Sequence, residues 1–273
     1  QLMITTDVEN FPGYPDGIMG PQMMEDLKNQ AARFETDIRY GFATSVDFSS
    51  LPHKVVIDEK TTILADSVII STGAAAKWLG IESEMRLRDA GGGVSACAVC
   101  DGFFFRGKDV IVVGGGDTAA EEATFLTKMC SHVHLLVRRD EMRASKIMQE
   151  RVLNNDKLTV HWNSSTLEVL GETEVEGARI RNSVTGEEST IKSSAFFVAI
   201  GHKPNTGMFK EYLKMDDHGY LITHPDSTHT DVNGVYVCGD AQDSKYRQAV
   251  TAAGTGCMAA LDAERYLTEK GII

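Results

Sequence analysis

Short runs of apolar and β-branched residues alternate along this chain with longer segments of helical periodicity. Several of the runs are apolar without interruption, which is typical of strands buried on both faces of a parallel sheet. We predict strands at residues 54–57, 67–71, 109–113, 133–137, 158–162, 196–199 and 235–237. Strands that alternate with helices in this way predict an α/β fold with a parallel sheet.

The rest of the pattern predicts two helices and a hairpin. A helix should begin at Gly20-Pro21, because proline is tolerated in the first helical turn. Residues 175–192 contain Gly177 and a Thr185-Gly186 turn between alternating runs, which predicts an antiparallel hairpin over the sheet. A final helix is predicted at residues 248–267, and four of its residues are expected to face inward: Ala249, Ala253, Ala260 and Leu267.

The charge and the hydropathy of the chain argue against several classes of protein. The formal net charge is −12, from 27 basic and 39 acidic residues, which argues against nucleic acid or an anionic membrane as the partner. No apolar run approaches the ~18 residues of a membrane span. The sequence opens at Gln1 without the features of a signal peptide, so we expect none, and this start need not be the natural one.

Five cysteines at low density do not fit a secreted disulfide scaffold. They indicate a reducing compartment, and we expect the protein to be cytoplasmic. Cys130 and Cys257 fall on apolar helix faces, and Cys238 ends an apolar strand. We expect all three to be small buried hydrophobic residues.

The clearest chemical motif is a glycine-rich turn between a strand and a helix. Residues 109–113 lead into Gly114-Gly115-Gly116-Asp117-Thr118-Ala119, and a second strand follows the helix. In a dinucleotide-binding fold the first glycine permits the tight turn, the second admits the pyrophosphate, and Ala119 permits close helix packing. The alternative is a simple tight turn between strand and helix.

Basic residues follow the second strand of this unit. An NAD site would place a carboxylate there, whereas this chain has Arg138, Arg139 and, shortly after, Arg143. Guanidinium groups bind phosphate by charge-assisted hydrogen bonds, so we expect NADP rather than NAD. The alternative is a solvated basic turn that pairs with Asp140 and Glu141.

Cys97-Ala98-Val99-Cys100-Asp101 is a candidate redox centre. Two cysteines at this spacing can form an exchangeable disulfide, and Asp101 can take and give a proton. A zinc site and a buried thiol pair without function are the alternatives. The sequence has no second CxxC, and we expect no metal.

Two strand ends indicate a second nucleotide site. The strand at 67–71 runs into Thr72-Gly73, and the strand at 235–237 runs into Cys238-Gly239-Asp240. The final helix begins after Arg247-Gln248-Ala249, and its N-terminus could face a phosphate or a flavin ring. The alternative is a pair of ordinary turns at strand ends.

Taken together and in order, these segments resemble the low-molecular-weight thioredoxin reductases of bacteria and plants over nearly the whole chain. The segments that carry the resemblance are Thr5-Thr6-Asp7-Val8-Glu9-Asn10-Phe11-Pro12-Gly13, Ser95-Ala96-Cys97-Ala98-Val99-Cys100-Asp101-Gly102, Val113-Gly114-Gly115-Gly116-Asp117-Thr118-Ala119, Arg138-Arg139-Asp140, Ala199-Ile200-Gly201-His202-Lys203-Pro204-Asn205-Thr206, Cys238-Gly239-Asp240, and Arg247-Gln248-Ala249-Val250 through Gly254-Thr255-Gly256.

The resemblance implies two Rossmann-like, three-layer nucleotide-binding domains. An FAD domain, residues 1–77 and 204–273, would be split around an inserted NADPH domain, residues 78–203, that carries the CxxC. Gly80 and Gly201 lie where hinges between such domains would be, or are plain boundary glycines. The resemblance also implies a homodimer.

The resemblance further implies a path of electrons from NADPH through FAD and the disulfide to thioredoxin. Cys97 would attack thioredoxin, Cys100 would lie next to the flavin, and Asp101 would be the acid and base. NADPH would be bound by Gly114, Gly116, Asp117, Thr118, Ala119, Arg138, Arg139 and Arg143. FAD would be bound by Gln1, Asn10, Thr72, Gly73, Gly239, Asp240, Arg247, Gln248 and Ala249.

The chain departs from the family in two places. Val137 stands where the family usually has His before the paired arginines, so one contact to the 2′-phosphate is expected to be missing. The strand, glycine turn and helix that open the FAD domain have no counterpart in residues 1–273. We therefore expect a missing first βαβ unit and weak or no FAD binding by these residues alone.

Two alternatives remain open at this point. One is a flavoprotein of the same fold that reduces a small peroxiredoxin, although that class normally has Pro and His between the cysteines and lacks the paired arginines. Ala98, Val99, Arg138 and Arg139 favour a thioredoxin reductase instead. The other is a non-catalytic NADP-binding fragment, which would follow if FAD cannot bind.

Overall fold

The computed structural model of the chain describes residues 2–4 and 7–273. Gln1, which the resemblance assigns to the FAD site, lies outside the described residues. The chain folds into two compact units. The first unit comprises Gln1–Asn10, Pro15–Met24 and Ala76–Gly201, and the second comprises Phe11–Tyr14, Glu25–Ala75 and His202–Ile273.

Strands and helices alternate through both units. The strands are β1 (Asp7–Val8), β2 (Ile18–Met19), β3 (Ala43–Asp47), β4 (His53–Ile57), β5 (Thr61–Ala65), β6 (Val68–Ile70), β7 (Ala74–Ala76), β8 (Val94–Ser95), β9 (Asp109–Val113), β10 (His132–Leu136), β11 (Leu158–His161), β12 (Ser164–Leu170), β13 (Gly177–Asn182), β14 (Glu188–Lys192), β15 (Ala195–Val198), β16 (His202–Pro204) and β17 (Val235–Val237). The α-helices are α1 (Gly20–Ala32), α2 (Glu82–Asp89), α3 (Ala98–Asp101), α4 (Asp117–Leu126), α5 (Lys146–Leu153) and α6 (Ala249–Glu269).

A five-stranded parallel sheet with the strand order β11-β10-β9-β15-β8 forms the centre of the first unit. Alternate residues of its strands point to opposite faces. Val110 and Val112 of β9 are buried against α4 and α5, whereas Ile111 is buried on the other face. Because both faces are buried, β9 and β15 are apolar almost throughout.

A three-stranded antiparallel sheet, β12-β13-β14, covers the second face of the parallel sheet. Its inward side chains, Val169, Ala178, Ile180 and Ile191, are buried in the same cluster as Ile111. The β13–β14 pair is the antiparallel hairpin expected at residues 175–192. The first unit therefore has three layers: helices, the parallel sheet, and the antiparallel sheet with α2.

The second unit contains the parallel pair β17-β6, the antiparallel sheet β3-β4-β5 and the pair β16-β7. Val235 and Val237 are buried with Phe48 and Phe209. Tyr236 points the other way, where α6 covers the strand. Strand β17 thus has a buried layer on each face.

Three residues of α6 that were expected to be buried are exposed instead. Its buried side chains are Ala259 and Ala263, whereas Ala253 and Ala260 are exposed. Cys257 is also exposed, although Cys130 and Cys238 are buried as expected. Alanine and glycine occur around the whole helix, so its pattern carries too little contrast to identify the buried face. No helix among the described residues is long and apolar enough to cross a membrane.

Candidate functional site

The turn between β9 and α4 requires glycine at its first position. Gly114 has a φ of +153°, and a Cβ atom there would lie 2.4 Å from the carbonyl oxygen of Ala199 and 2.6 Å from Cβ of Ala119. Ala119 is fully buried in the helix layer. The glycine therefore allows strand, helix and the neighbouring strand end to approach one another closely.

Gly116, at the N-cap of α4, faces open space. A Cβ atom built there would meet no atom within 4 Å, although the first helical residue, Asp117, follows directly. The N–H groups of the first turn have no partner within the helix and carry the positive end of its dipole. The residues present therefore fit a dinucleotide phosphate at this turn.

The arginine-rich loop after β10 lies beside this turn. The N–H of Arg143 donates to the carbonyl oxygen of Gly115 at 2.6 Å. Arg138, Arg139 and Arg143 are all exposed, and no ion pair of the described residues involves them. Their guanidinium groups fit the phosphate that distinguishes NADP from NAD.

Cys97 and Cys100 form a disulfide with an S–S distance of 2.10 Å and a Cα–Cα distance of 5.3 Å. Cys97 follows β8 after one residue and is the N-cap of the single-turn helix α3, which contains Cys100. Sγ of Cys97 accepts from the N–H of Cys100 at 3.3 Å, and the N–H of Cys97 donates to Oγ of Ser95 at 3.0 Å. The predicted pairing of these two cysteines is confirmed.

The carboxyl group of Asp101 is held in a low-polarity environment next to the disulfide. Burial raises the pKa of Asp101 above its ordinary value, and a hydrogen bond from Ser95 offsets part of that rise. Its buried Oδ1 has no hydrogen-bond partner among the described residues. Desolvation penalises the charged form of a carboxyl group, and a carboxyl group beside a disulfide is suited to exchange a proton with a sulfur atom.

Four of the residues expected at the second nucleotide site, Thr72, Gly73, Gly239 and Asp240, follow strands of the second unit. Strands β6 and β17 are parallel neighbours, so Thr72-Gly73 and Gly239-Asp240 follow strand ends on the same side. Gly73 has a φ of +67° and open space where a side chain would be. Burial, and secondarily the charge of Asp243, raises the pKa of Asp240. The residues present fit part of a flavin nucleotide.

The start of α6 lies close to these strand ends in the fold. Arg247 has a φ of +49°, and its N–H donates to the carboxylate of Asp243 at 3.0 Å. Gln248 is the N-cap, and its N–H donates to Oγ1 of Thr251 at 3.3 Å. Ala249 is the first residue of the helix. Asn10, also assigned to FAD by the resemblance, belongs to the first unit and is exposed.

Three polar residues that contact these sites, Ser95, Asn205 and Thr255, were not predicted from the sequence. Ser95 contacts both the disulfide segment and Asp101. Asn205 donates from Nδ2 to the carbonyl oxygen of Thr72 at 3.0 Å, and Oγ1 of Thr255 accepts from the N–H of Gly239 at 2.9 Å. All three lie inside segments that carry the resemblance, which is the one signal that could have drawn attention to them.

A three-layer unit with a dinucleotide-type glycine turn and a CxxC disulfide defines a dinucleotide-dependent disulfide oxidoreductase. A family model described as pyridine nucleotide-disulphide oxidoreductase matches residues 3–256. The chain belongs to the pyridine nucleotide-disulphide oxidoreductase family.

The chain is similar to several thioredoxin reductases. It is 52% identical to thioredoxin reductase 2 of Arabidopsis thaliana over 280 residues, which cover 99% of this chain and 72% of the relative. It is 49% identical to thioredoxin reductase of Rickettsia conorii, over 98% of this chain and 87% of the relative.

Solved structures of thioredoxin reductases are also similar to this chain. Thioredoxin reductase from Giardia duodenalis superposes with a TM-score of 0.92 at 43% identity, over 98% of this chain and 87% of that chain. The enzyme from Streptococcus pyogenes superposes with a TM-score of 0.91 at 36% identity, over the same shares of the two chains. The predicted family resemblance, α/β class and oxidoreductase activity are confirmed.

Proposed function

We propose that this protein is an NADPH-dependent reductase of thioredoxin. The observation that carries the proposal is the Cys97–Cys100 disulfide with the raised-pKa carboxyl group of Asp101 beside it. A disulfide of this kind exchanges with a second disulfide, and thioredoxin is the partner named for the relatives. When bound, NADPH and FAD supply the two electrons that reduce the disulfide to two thiols.

The residues of this chain then complete the exchange. The thiolate of Cys97 attacks one sulfur of the thioredoxin disulfide, and the sulfur that leaves takes a proton from Asp101. Asp101, now ionised, accepts the proton of Cys100. The Cys100 thiolate attacks Cys97, which restores the disulfide and releases the second thioredoxin sulfur to take a proton from solvent. Two electrons and two protons have then passed to thioredoxin.

The test is serine substitution of each cysteine in the flavin-loaded protein, with thioredoxin as substrate. Cys97→Ser and Cys100→Ser should each abolish thioredoxin reduction while flavin bleaching by NADPH continues. Cys100→Ser should also accumulate a mixed disulfide with thioredoxin, because the resolving thiol is absent. Cys257→Ser, at an exposed position on α6, is the matched control and should retain full activity. Full activity in Cys100→Ser would disprove the proposal.

We also propose that residues 78–203 form the NADPH domain and that residues 1–77 and 204–273 contribute to an FAD domain. The glycine turn at Gly114–Ala119 and the three arginines support the first assignment. Each charged hydrogen bond to a 2′-phosphate is worth about 1.5–3 kcal/mol, so Arg138→Ala should weaken NADPH roughly ten- to a hundredfold and leave NADH unchanged. An equal loss of affinity for NADPH and NADH in Arg138→Ala would contradict the assignment of the arginines to the NADPH site.

A cytoplasmic homodimer is the remaining part of the proposal. The three cysteines outside the disulfide are free thiols, which suits a reducing compartment, and the family resemblance supports two copies. Light scattering on the purified protein should give twice the chain mass at micromolar concentration. A mass of one chain at all concentrations would contradict the dimer.

A further inference from the structure

The connection between β11 and β12 lies against the backbone of the arginine-rich loop. The N–H of Val137 donates to the carbonyl oxygen of His161 at 3.0 Å, and the N–H of Ser164 donates to the carbonyl oxygen of Val137 at 2.9 Å. The N–H of Asn163 donates to the carbonyl oxygen of Arg139 at 3.0 Å. Hydrogen bonds therefore hold the backbone on both sides of Arg138.

Asn163 is the residue on which this arrangement depends. It has a φ of +53°, in the left-handed region that asparagine and glycine tolerate and β-branched residues do not. Its own carbonyl oxygen accepts from the N–H of Ser183 at 2.7 Å, in the turn between β13 and β14. The Asn163 backbone thus connects the arginine-rich loop to the antiparallel sheet.

The arginine side chains have no comparable support. Arg138 and Arg139 are exposed, and none of the ion pairs of the described residues includes them. Val137, by contrast, is only 2% exposed. The backbone therefore sets where these two side chains begin, and the hydrogen bond from Asn163 to Arg139 is one of the bonds that hold that backbone.

We propose that Asn163 is a positioning residue for cofactor selectivity: its left-handed turn holds the arginine-rich loop where the guanidinium groups reach the 2′-phosphate of NADPH. This inference rests on the proposed role of the arginines. NADPH and NADH differ only in that phosphate, so a displaced loop weakens NADPH and leaves NADH unaffected.

The experiment compares Asn163→Val with Asn163→Gly in steady-state assays with each cofactor. Asn163→Val strains the turn and should raise KM for NADPH about tenfold, with KM for NADH and both kcat values unchanged. Asn163→Gly should behave like the unaltered protein, because glycine adopts the same φ without strain. Asn163→Ala, a milder change, replaces the valine variant if that variant does not fold.

The control is Asp226→Val, which strains an exposed turn of the second unit with a φ of +55° and should leave the cofactor preference unchanged. Equal increases of KM for NADPH and NADH in Asn163→Val would overturn the inference, since a purely structural role affects both cofactors. Arg138→Ala in the same assay separates the two proposals. If Arg138→Ala reduces the preference for NADPH and Asn163→Val does not, only the role of Asn163 fails; if neither does, the role of the arginines fails.

Discussion

A methyl group added at Gly114 should lower the stability of the protein, whereas one added at Gly116 should weaken NADPH binding. In Gly114→Ala the new Cβ would lie 2.4 Å from the carbonyl oxygen of Ala199 and 2.6 Å from Cβ of Ala119. Both neighbours are held by buried backbone, so the turn must shift. Overpacking of this kind costs about 1–3 kcal/mol, and the unfavourable φ adds roughly 1 kcal/mol. At ~2–4 °C per kcal/mol, the melting temperature should fall by about 4–16 °C.

Gly116→Ala is the matched change two residues further on. No atom lies within 4 Å of the place that Cβ of residue 116 would occupy, and the φ of −98° suits any residue. Stability should therefore change by only a few tenths of a kcal/mol up to about 1 kcal/mol, the range for alanine at an N-cap. The methyl group would nevertheless fill the space where the pyrophosphate must approach, so NADPH affinity should fall at least tenfold.

Thermal unfolding by circular dichroism and NADPH titration by calorimetry measure the two effects separately. Gly114→Ala should have a lower melting temperature than the unaltered protein. Gly116→Ala should have nearly the same melting temperature as the unaltered protein but bind NADPH poorly. Normal NADPH affinity in Gly116→Ala would refute the assignment of the turn as a phosphate site. An unchanged melting temperature in Gly114→Ala would refute the contact argument.

Three further predictions concern the redox centre, the histidines and the thiols. Asp101→Asn should slow thioredoxin turnover by roughly 10²–10⁴-fold in steady-state assays without changing NADPH affinity, the range for loss of a general acid and base. Burial and neighbouring imidazoles lower the pKa of His134 to about 4, so its contribution to stability is present above pH ~6.5 and is lost as pH falls toward 4. Between pH 7.5 and 5.5 that loss should be about 0.5–1 kcal/mol after solvent screening, and urea unfolding of His134→Gln should show a smaller drop. A thiol reagent should modify Cys257 quickly in the folded, oxidised protein, whereas Cys130 and Cys238 should react only on unfolding, as mass spectrometry of the labelled peptides would show.

Strands buried on both faces were predicted well, and so were two partly exposed strands, β4 and β11, which differ from the prediction by one residue at one end. Strands β9 and β17 have the predicted bounds, and β10 and β15 differ by one residue at each end. A strand covered on two sides needs apolar residues throughout, so its sequence stands out from its surroundings. Strands β3 and β5 were not predicted, because they are largely exposed and carry threonine and serine among their apolar residues.

Local motifs were the predictable part of the candidate site. The glycine turn occupies consecutive residues, and Asp101 directly follows the CxxC, so spacing alone identified both. The contact between Asn163 and Arg139 joins residues that are distant in sequence, and no spacing rule connects them. The exposure of Cys257 could not be predicted either, since it depends on which side of α6 meets Tyr236.

The glycine turn and the arginine-rich loop, the two parts of the proposed NADPH site, are held by different contacts. The affinity for both cofactors and the preference for NADPH over NADH should therefore respond to different substitutions. The glycine turn is closely packed, because Gly114 lies against Ala119 and the end of β15, and in the proposed assignment it binds the pyrophosphate that NADPH and NADH share. The arginine-rich loop is held by backbone hydrogen bonds to the turn at Asn163 and, in the proposed assignment, contacts only the 2′-phosphate. Gly116→Ala should therefore weaken both cofactors by the same factor, whereas Asn163→Val should change their ratio. Substitutions that alter the cofactor preference without loss of overall affinity should consequently be found in the loop and in the turn that supports it, and not in the glycine motif.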